Sequence, residues 1–274
     1  MPRPGSSSSA GSTTAWAAGP LTARAKKRSN SINSSARRSL STSSNTGRRS
    51  SAAASAATNA FTGPMVIDLG TLSVASINSV VGGVTGSSFG APANVLNGTI
   101  NFGSPYVSSG TGVSGSGTLL YTGTGETTDR EISINGATYT VTLDQSGTGL
   151  LKFAGAINIP GFGTSKTIVL QGSTAGTGEI GGNISNPYDP AGLATTALTK
   201  SGAGTWTLSG TNSYTGATLV TNGVLACSTA SSLGNGFVSI SSGARLALNY
   251  TGTHAVANLR LNNAQQIYGI YGSS

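Results

Sequence analysis

Glu126, Asp129, Arg130 and Glu131 form the densest group of charges in this 274-residue sequence. Paired carboxylates beside a guanidinium are the raw material of a glycosidase or lyase site. A glycosidase needs its two carboxyl groups roughly 5–9.5 Å apart across the scissile bond, and a turn can hold Glu126 and Asp129 at such a separation. Other chemistry is scarcer. His254 and Cys227 are the sole histidine and cysteine, so neither an intrachain disulfide nor a Cys/His zinc cluster can form. A Ser-His-Asp triad would have to use His254, which lies in a Thr-Gly-Thr-His string that reads as a surface turn. The string GVSGSG beginning at Gly112 approaches a nucleophile elbow but has no helix after it. The Gly-x-Gly strings lack the helix and downstream acid of a dinucleotide site and the lysine of a P-loop. The calcium-binding nonapeptide is also missing. No residue is assigned as catalytic, cofactor-binding or metal-ligating, and no cofactor is expected.

The elements that would position these groups are short strands. Charged residues are only 8% of the sequence, against about 25% in a typical soluble domain, and 41 residues are glycine. Such a composition does not suit an ordinary α/β enzyme. From about residue 58, brief apolar runs alternate with Gly, Asn, Ser and Thr: residues 65–67, 138–143 (TYTVTL), 167–170, 238–240 and 245–248. In TYTVTL, Tyr139, Val141 and Leu143 alternate with threonines, which suits a half-buried strand. Glycine-containing turns interrupt any helical period, so no amphipathic helix is expected. No run of about 18 apolar residues could cross a membrane as a helix.

Charge divides the chain. Nine of its 15 basic residues and none of its seven acidic ones fall in residues 1–50, leaving residues 51–274 at −1. Residues 1–57 are rich in Ser, Ala and Arg, show no period, and read as a disordered basic segment. Such a tail will adhere to polyanions at low salt, but with no aromatic interleaving beyond Trp16 no specific nucleic-acid partner is expected. Residues 58–274 read as the folded region.

Self-comparison finds two repeating units. Residues 59–74 (NAFTGPMVIDLGTLSV) match residues 212–227 (NSYTGATLVTNGVLAC), pairing Phe61 with Tyr214, Gly63 with Gly216, Gly70 with Gly223, Leu72 with Leu225, and Val74 with Cys227. The last pairing predicts an inward, inert thiol. A second unit, Ser-Gly-x-Gly followed by alternating apolar residues, recurs at 114–123, 146–155 and 201–210. Its pairs Leu119/Tyr121, Leu151/Phe153 and Trp206/Leu208 would share one strand face. These features predict an all-β fold, a parallel β-helix in which rungs of about 20–25 residues stack and glycines turn the corners. On the order of ten rungs are expected. The end rungs need caps that the sequence does not show.

Residues 198–227 (LTKSGAGTWTLSGTNSYTGATLVTNGVLAC) resemble a nearly complete autotransporter-associated β-strand repeat, with Leu-x-Lys-x-Gly-x-Gly, alternating apolar positions, Asn-x-Tyr-x-Gly and a closing Gly-x-Leu. SLGNG from Ser232 and residues 238–248 resemble its usual continuation. Residues 122–132 (TGTGETTDREI) are similar to connectors between copies, which accounts for the charge cluster as a structural turn. The resemblance implies a non-enzymatic structural passenger segment of an exported bacterial surface protein, extracellular or at the outer-membrane surface. Surface glycans or other cell-surface proteins would be its partners. A carbohydrate-active β-helix enzyme or a glycan-binding module is the alternative. Related chains usually carry a signal peptide and a membrane barrel, neither recognisable here. The chain is therefore expected to be a fragment or to have a misassigned start, with residues 1–57 foreign to the passenger.

Overall fold

The computed structural model describes residues 52–55, 58–81, 86–103, 116–136, 140–160 and 164–271. Short β-branched runs separated by glycines cannot close a sheet on their own, so they stack. Three parallel sheets result. A ten-stranded sheet takes one strand from every rung, from Ala52–Ser55 through Gly70–Val74, Ser116–Tyr121, Thr140–Gln145, Lys166–Gly172, Thr196–Lys200, Thr218–Val220 and Phe237–Ile240 to Asn258–Leu261, and ends on Ala264–Gln265. The last pairing alone is antiparallel, so nine strands run in parallel. A six-stranded sheet runs from Glu126–Thr128 to Arg245–Leu248, and a four-stranded sheet joins Met65–Ile67, Ile100–Phe102, Ile132–Ile134 and Ile157–Asn158. This is the expected all-β, β-helical architecture. Among the described residues, helix is confined to the single turns Val95–Gly98 and Ala230–Ser232.

Side chains two apart share a face, so each rung contributes to inward ladders. One ladder in the long sheet reads Leu72, Leu119, Leu143, Leu170, Lys200, Val220, Ile240, Leu261. In the six-stranded sheet Leu151, Gly178, Trp206, Leu225 and Leu246 face one another, beside Phe153, Ile180, Leu208, Cys227 and Leu248. The pairs Leu119/Tyr121, Leu151/Phe153 and Trp206/Leu208 are all buried, as their spacing predicts. Val141 and Leu143 are buried too, whereas Tyr139 lies outside the described residues.

Rung length is irregular. Thr218 pairs with Val238, 20 positions on, but Leu72 pairs with Leu119, 47 positions on. The excess is an insertion that occupies residues 75–99. The two matched sequence copies also sit on different walls. Met65–Ile67 belongs to the four-stranded sheet and its counterpart Thr218–Val220 to the ten-stranded one. A corner followed by Gly-x-Leu reads alike at every corner of the prism, so self-comparison detects the unit without its side. One strand, Ala52–Ser55, falls inside the segment expected to be disordered and pairs in parallel with residues 71–74. The strand boundary therefore lies ahead of residue 58, while residues 1–51 lie outside the described residues.

Candidate functional site: the charge cluster and the repeat motif

The charge cluster begins at the edge strand Glu126–Thr128, the first of the six-stranded sheet. Its carboxylates are engaged by backbone. Glu126 accepts from the amides of Ile77 and Asn78, both at 2.7 Å, and Asp129 accepts from Val80 at 2.5 Å and Val81 at 3.0 Å. Thr128 donates its hydroxyl to the Asn78 carbonyl at 2.9 Å, and Ser79 donates to the Thr127 carbonyl at 3.3 Å. Arg130, 2% exposed, spreads its guanidinium over the carbonyls of Asn78 (3.0 Å), Gly90 (3.3 Å) and Gly98 (3.4 Å) and lies 5.4 Å from the Phe89 ring centroid. Burial lowers its pKa from the usual arginine value, against the opposing effect of the Asp129 and Glu126 charges.

All of these partners belong to the insertion. Residues 77–81 run along the edge of Glu126–Thr128 and satisfy it with side-chain bonds instead of a strand ladder, while Ile77 and Phe89 are fully buried. A sheet edge left open is a template for other strands. The cluster is thus the clamp of an N-terminal cap, the feature sequence reasoning could not locate. Glu131 stands apart and accepts from the Asn158 amide at 2.9 Å. The arrangement turns both carboxylates of the candidate pair onto backbone amides.

His254 is half-buried, its Nε2 3.2 Å from the Gly234 carbonyl. Cys227 is fully buried, and burial pushes its thiol up to about 12. The GVSGSG string lies mostly outside the described residues. Among the described residues no three His, Cys, Asp or Glu side chains converge as metal ligands, and no helix is long and apolar enough to cross a membrane.

The repeat motif resolves into rung-to-rung fasteners. Lys200 occupies an inward ladder position, fully buried, and curls its ammonium onto the carbonyls of Ser201 (2.7 Å), Gly202 (2.9 Å) and, in the next rung, Asn222 (3.1 Å). Desolvation holds its pKa down to about 8. Lys166 is likewise buried and depressed to about 8, bonded to the Gly136 carbonyl at 2.5 Å and the Thr164 hydroxyl at 2.9 Å. Asn212 accepts from the Ile184 amide at 2.8 Å in the rung before and donates to the Ser232 carbonyl at 2.5 Å in the rung after. Tyr214 is buried with its hydroxyl 2.8 Å from that of Thr218. Gly223 adopts φ +63°, and a side chain there would meet the Gly204 carbonyl at 2.5 Å. Sequence reasoning missed both lysines as buried groups. The available signal was the two-residue spacing of Leu198 and Lys200, which puts them on one face.

Residues 198–226 match the passenger-associated-transport-repeat. The chain is also 31% identical over 153 residues to the adhesin BmaC autotransporter of Brucella suis biovar 1 (strain 1330), a match that covers 55% of this chain and 4% of that relative. No solved structure matches the chain. The chain carries an autotransporter passenger-type repeat on a parallel β-helix.

Proposed function

We propose that this chain is a non-enzymatic structural passenger segment of an exported bacterial surface protein, extracellular or at the outer-membrane surface, that contributes to adhesion. The observation that carries the reading is the fate of the motif and cluster residues. Lys200, Asn212, Trp206, Glu126, Asp129 and Arg130 are each committed to backbone partners of neighbouring rungs or of the insertion, which suits a scaffold that must hold its register outside the cell. The similarity to an adhesin autotransporter supports the surface role. Outward strand positions such as Thr142, Thr199 and Ser239 offer hydroxyl groups to surface glycans or to other cell-surface proteins. The test is to apply the purified chain to immobilised glycans and to cell surfaces while assaying polysaccharide turnover. Binding without turnover is the expected result. Depolymerisation that disappears in E126Q or D129N, with the β-sheet circular dichroism retained, would establish an enzyme instead.

A further inference from the structure

The two ends of the six-stranded sheet are finished differently. The insertion covers the edge of Glu126–Thr128, but among the described residues nothing pairs with the outer edge of Arg245–Leu248. Its inward ladders end there. Leu225 and Cys227 are fully buried, whereas Leu248, the next member after Cys227, is 42% exposed. Beside them lies a cavity of about 810 Å³ whose walls include Ile240, Leu246 and Leu259 on the solenoid and Ile267 and Ile270 on the tail. Asn258, also in that wall, keeps its side-chain oxygen buried without a hydrogen-bond partner. After Asn258–Leu261 the chain reverses at Asn262 and Asn263, with φ +52° and +66°, and runs antiparallel through Ala264–Gln265. Tyr268 and Ile270 then stand almost wholly in solvent.

We infer that residues 266–271 are the strand this open edge accepts, and that the hairpin and the stacked strand are alternative conformations of these residues. The spacing carries the inference. In earlier rungs the inward residue of the ten-stranded sheet is followed five to eight positions later by its neighbour in the six-stranded sheet: Val220 by Leu225, Lys200 by Trp206, Ile240 by Leu246, Leu170 by Gly178. Seven positions beyond Leu261 stands Tyr268, and Ile270, two further on, shares its face. In that register Tyr268 stacks on Leu246 and Ile270 on Leu248, continuing ladders already occupied by Trp206, Leu225 and Leu208. The exchange gives up the two-residue antiparallel pairing and the bond from the Gln266 amide to the Leu259 carbonyl. In return it closes the cavity, covers Leu248 and pairs the edge of Arg245–Leu248 within the same chain.

Amide exchange of the intact chain tests this. The amides of Arg245 and Asn249 bond back to the preceding rung, so alternation turns those of Leu246 and Leu248 to the open edge. Stacking predicts that these two, and amides within 266–271, exchange on the order of tenfold or more slowly than unpaired amides, independently of protein concentration. Y268D/I270D, substitutions in solvent-facing positions, is expected to abolish that protection and leave residues 140–145 unchanged. Free exchange of these amides in the unaltered chain would overturn the inference. So would protection that appears only as concentration rises, because the occupant would then be another chain.

Discussion

Gly178 lies opposite Trp206 in the six-stranded sheet, and a methyl group on Gly178 would stand 2.3 Å from the indole Cδ2. The ring fills the volume its neighbour leaves and anchors its N–H on the Gln171 carbonyl at 2.8 Å. Gly178→Ala is therefore expected to destabilise the fold by about 1–3 kcal/mol, the usual cost of overpacking. Urea unfolding of Gly178→Ala, Trp206→Leu and the double variant checks it. The double variant should lose less than the sum of the two. Additive losses would mean that the two positions do not share space.

Arg130 donates to three carbonyls of the insertion, those of Asn78, Gly98 and Gly90. Arg130→Met keeps the apolar stem and removes those donors; the carbonyls of Asn78 and Gly90 keep the Thr128 and Ser87 hydroxyls, while the buried Gly98 carbonyl loses the guanidinium, at about 1–3 kcal/mol. A lowered urea midpoint and faster proteolysis within residues 75–99 are expected, with Arg130→Lys intermediate. Unchanged proteolysis in Arg130→Met would show that Phe89 and Ile77 suffice to hold the cap.

How much of this was readable beforehand depended on whether the signal was local. Alternation placed Trp206, Leu208, Leu151 and Phe153 inward because a strand's period is fixed by its backbone. The passenger repeat was legible because Lys200, Gly202, Asn212, Tyr214 and Gly223 fall within one short stretch. The clamp was not legible. Its two halves, residues 77–81 and 126–130, are separated by nearly 50 positions, and only the fold shows that a 47-residue rung must bend back over an open edge. Nor could the pattern say which wall of the prism each copy occupies.

Lys166 and Lys200 make stability depend on pH. Both have folded-state values lowered to about 8 by burial, from an ordinary 10.5. Between those values the unfolded chain binds more protons than the folded one, so stability rises with pH from about 8. Cys227 and Tyr214 act in the opposite sense. Burial raises both to about 12, from 9.0 and 10.0, so stability present below the lower values is lost as pH climbs above them. The urea midpoint should therefore climb from about pH 8 to about 9 and then level or fall. Lys200→Met should shrink the climb. An equal climb in that variant would remove Lys200 from the explanation.

The buried thiol of Cys227 offers a simple probe of the far rungs. A thiol with no exposure and a raised pKa presents almost no thiolate. Ellman's reagent is expected to leave Cys227 untouched in the folded chain and to modify it fully in 6 M guanidinium, a concentration chosen to exceed ordinary unfolding midpoints of about 5 M or less. Rapid modification under native conditions would contradict the packing of Leu208, Cys227 and Leu248.

Glu126 and Asp129 hold the cap through backbone amides, and amide exchange at the cap tests that role most directly. The amides of Ile77, Asn78, Val80 and Val81 should be strongly protected in the unaltered chain, because the two carboxylates accept from all four. In E126A/D129A that protection should vanish while the amides of residues 166–172 keep theirs. Free exchange at these four amides before any substitution would contradict the account and return both carboxylates to candidacy as catalytic groups.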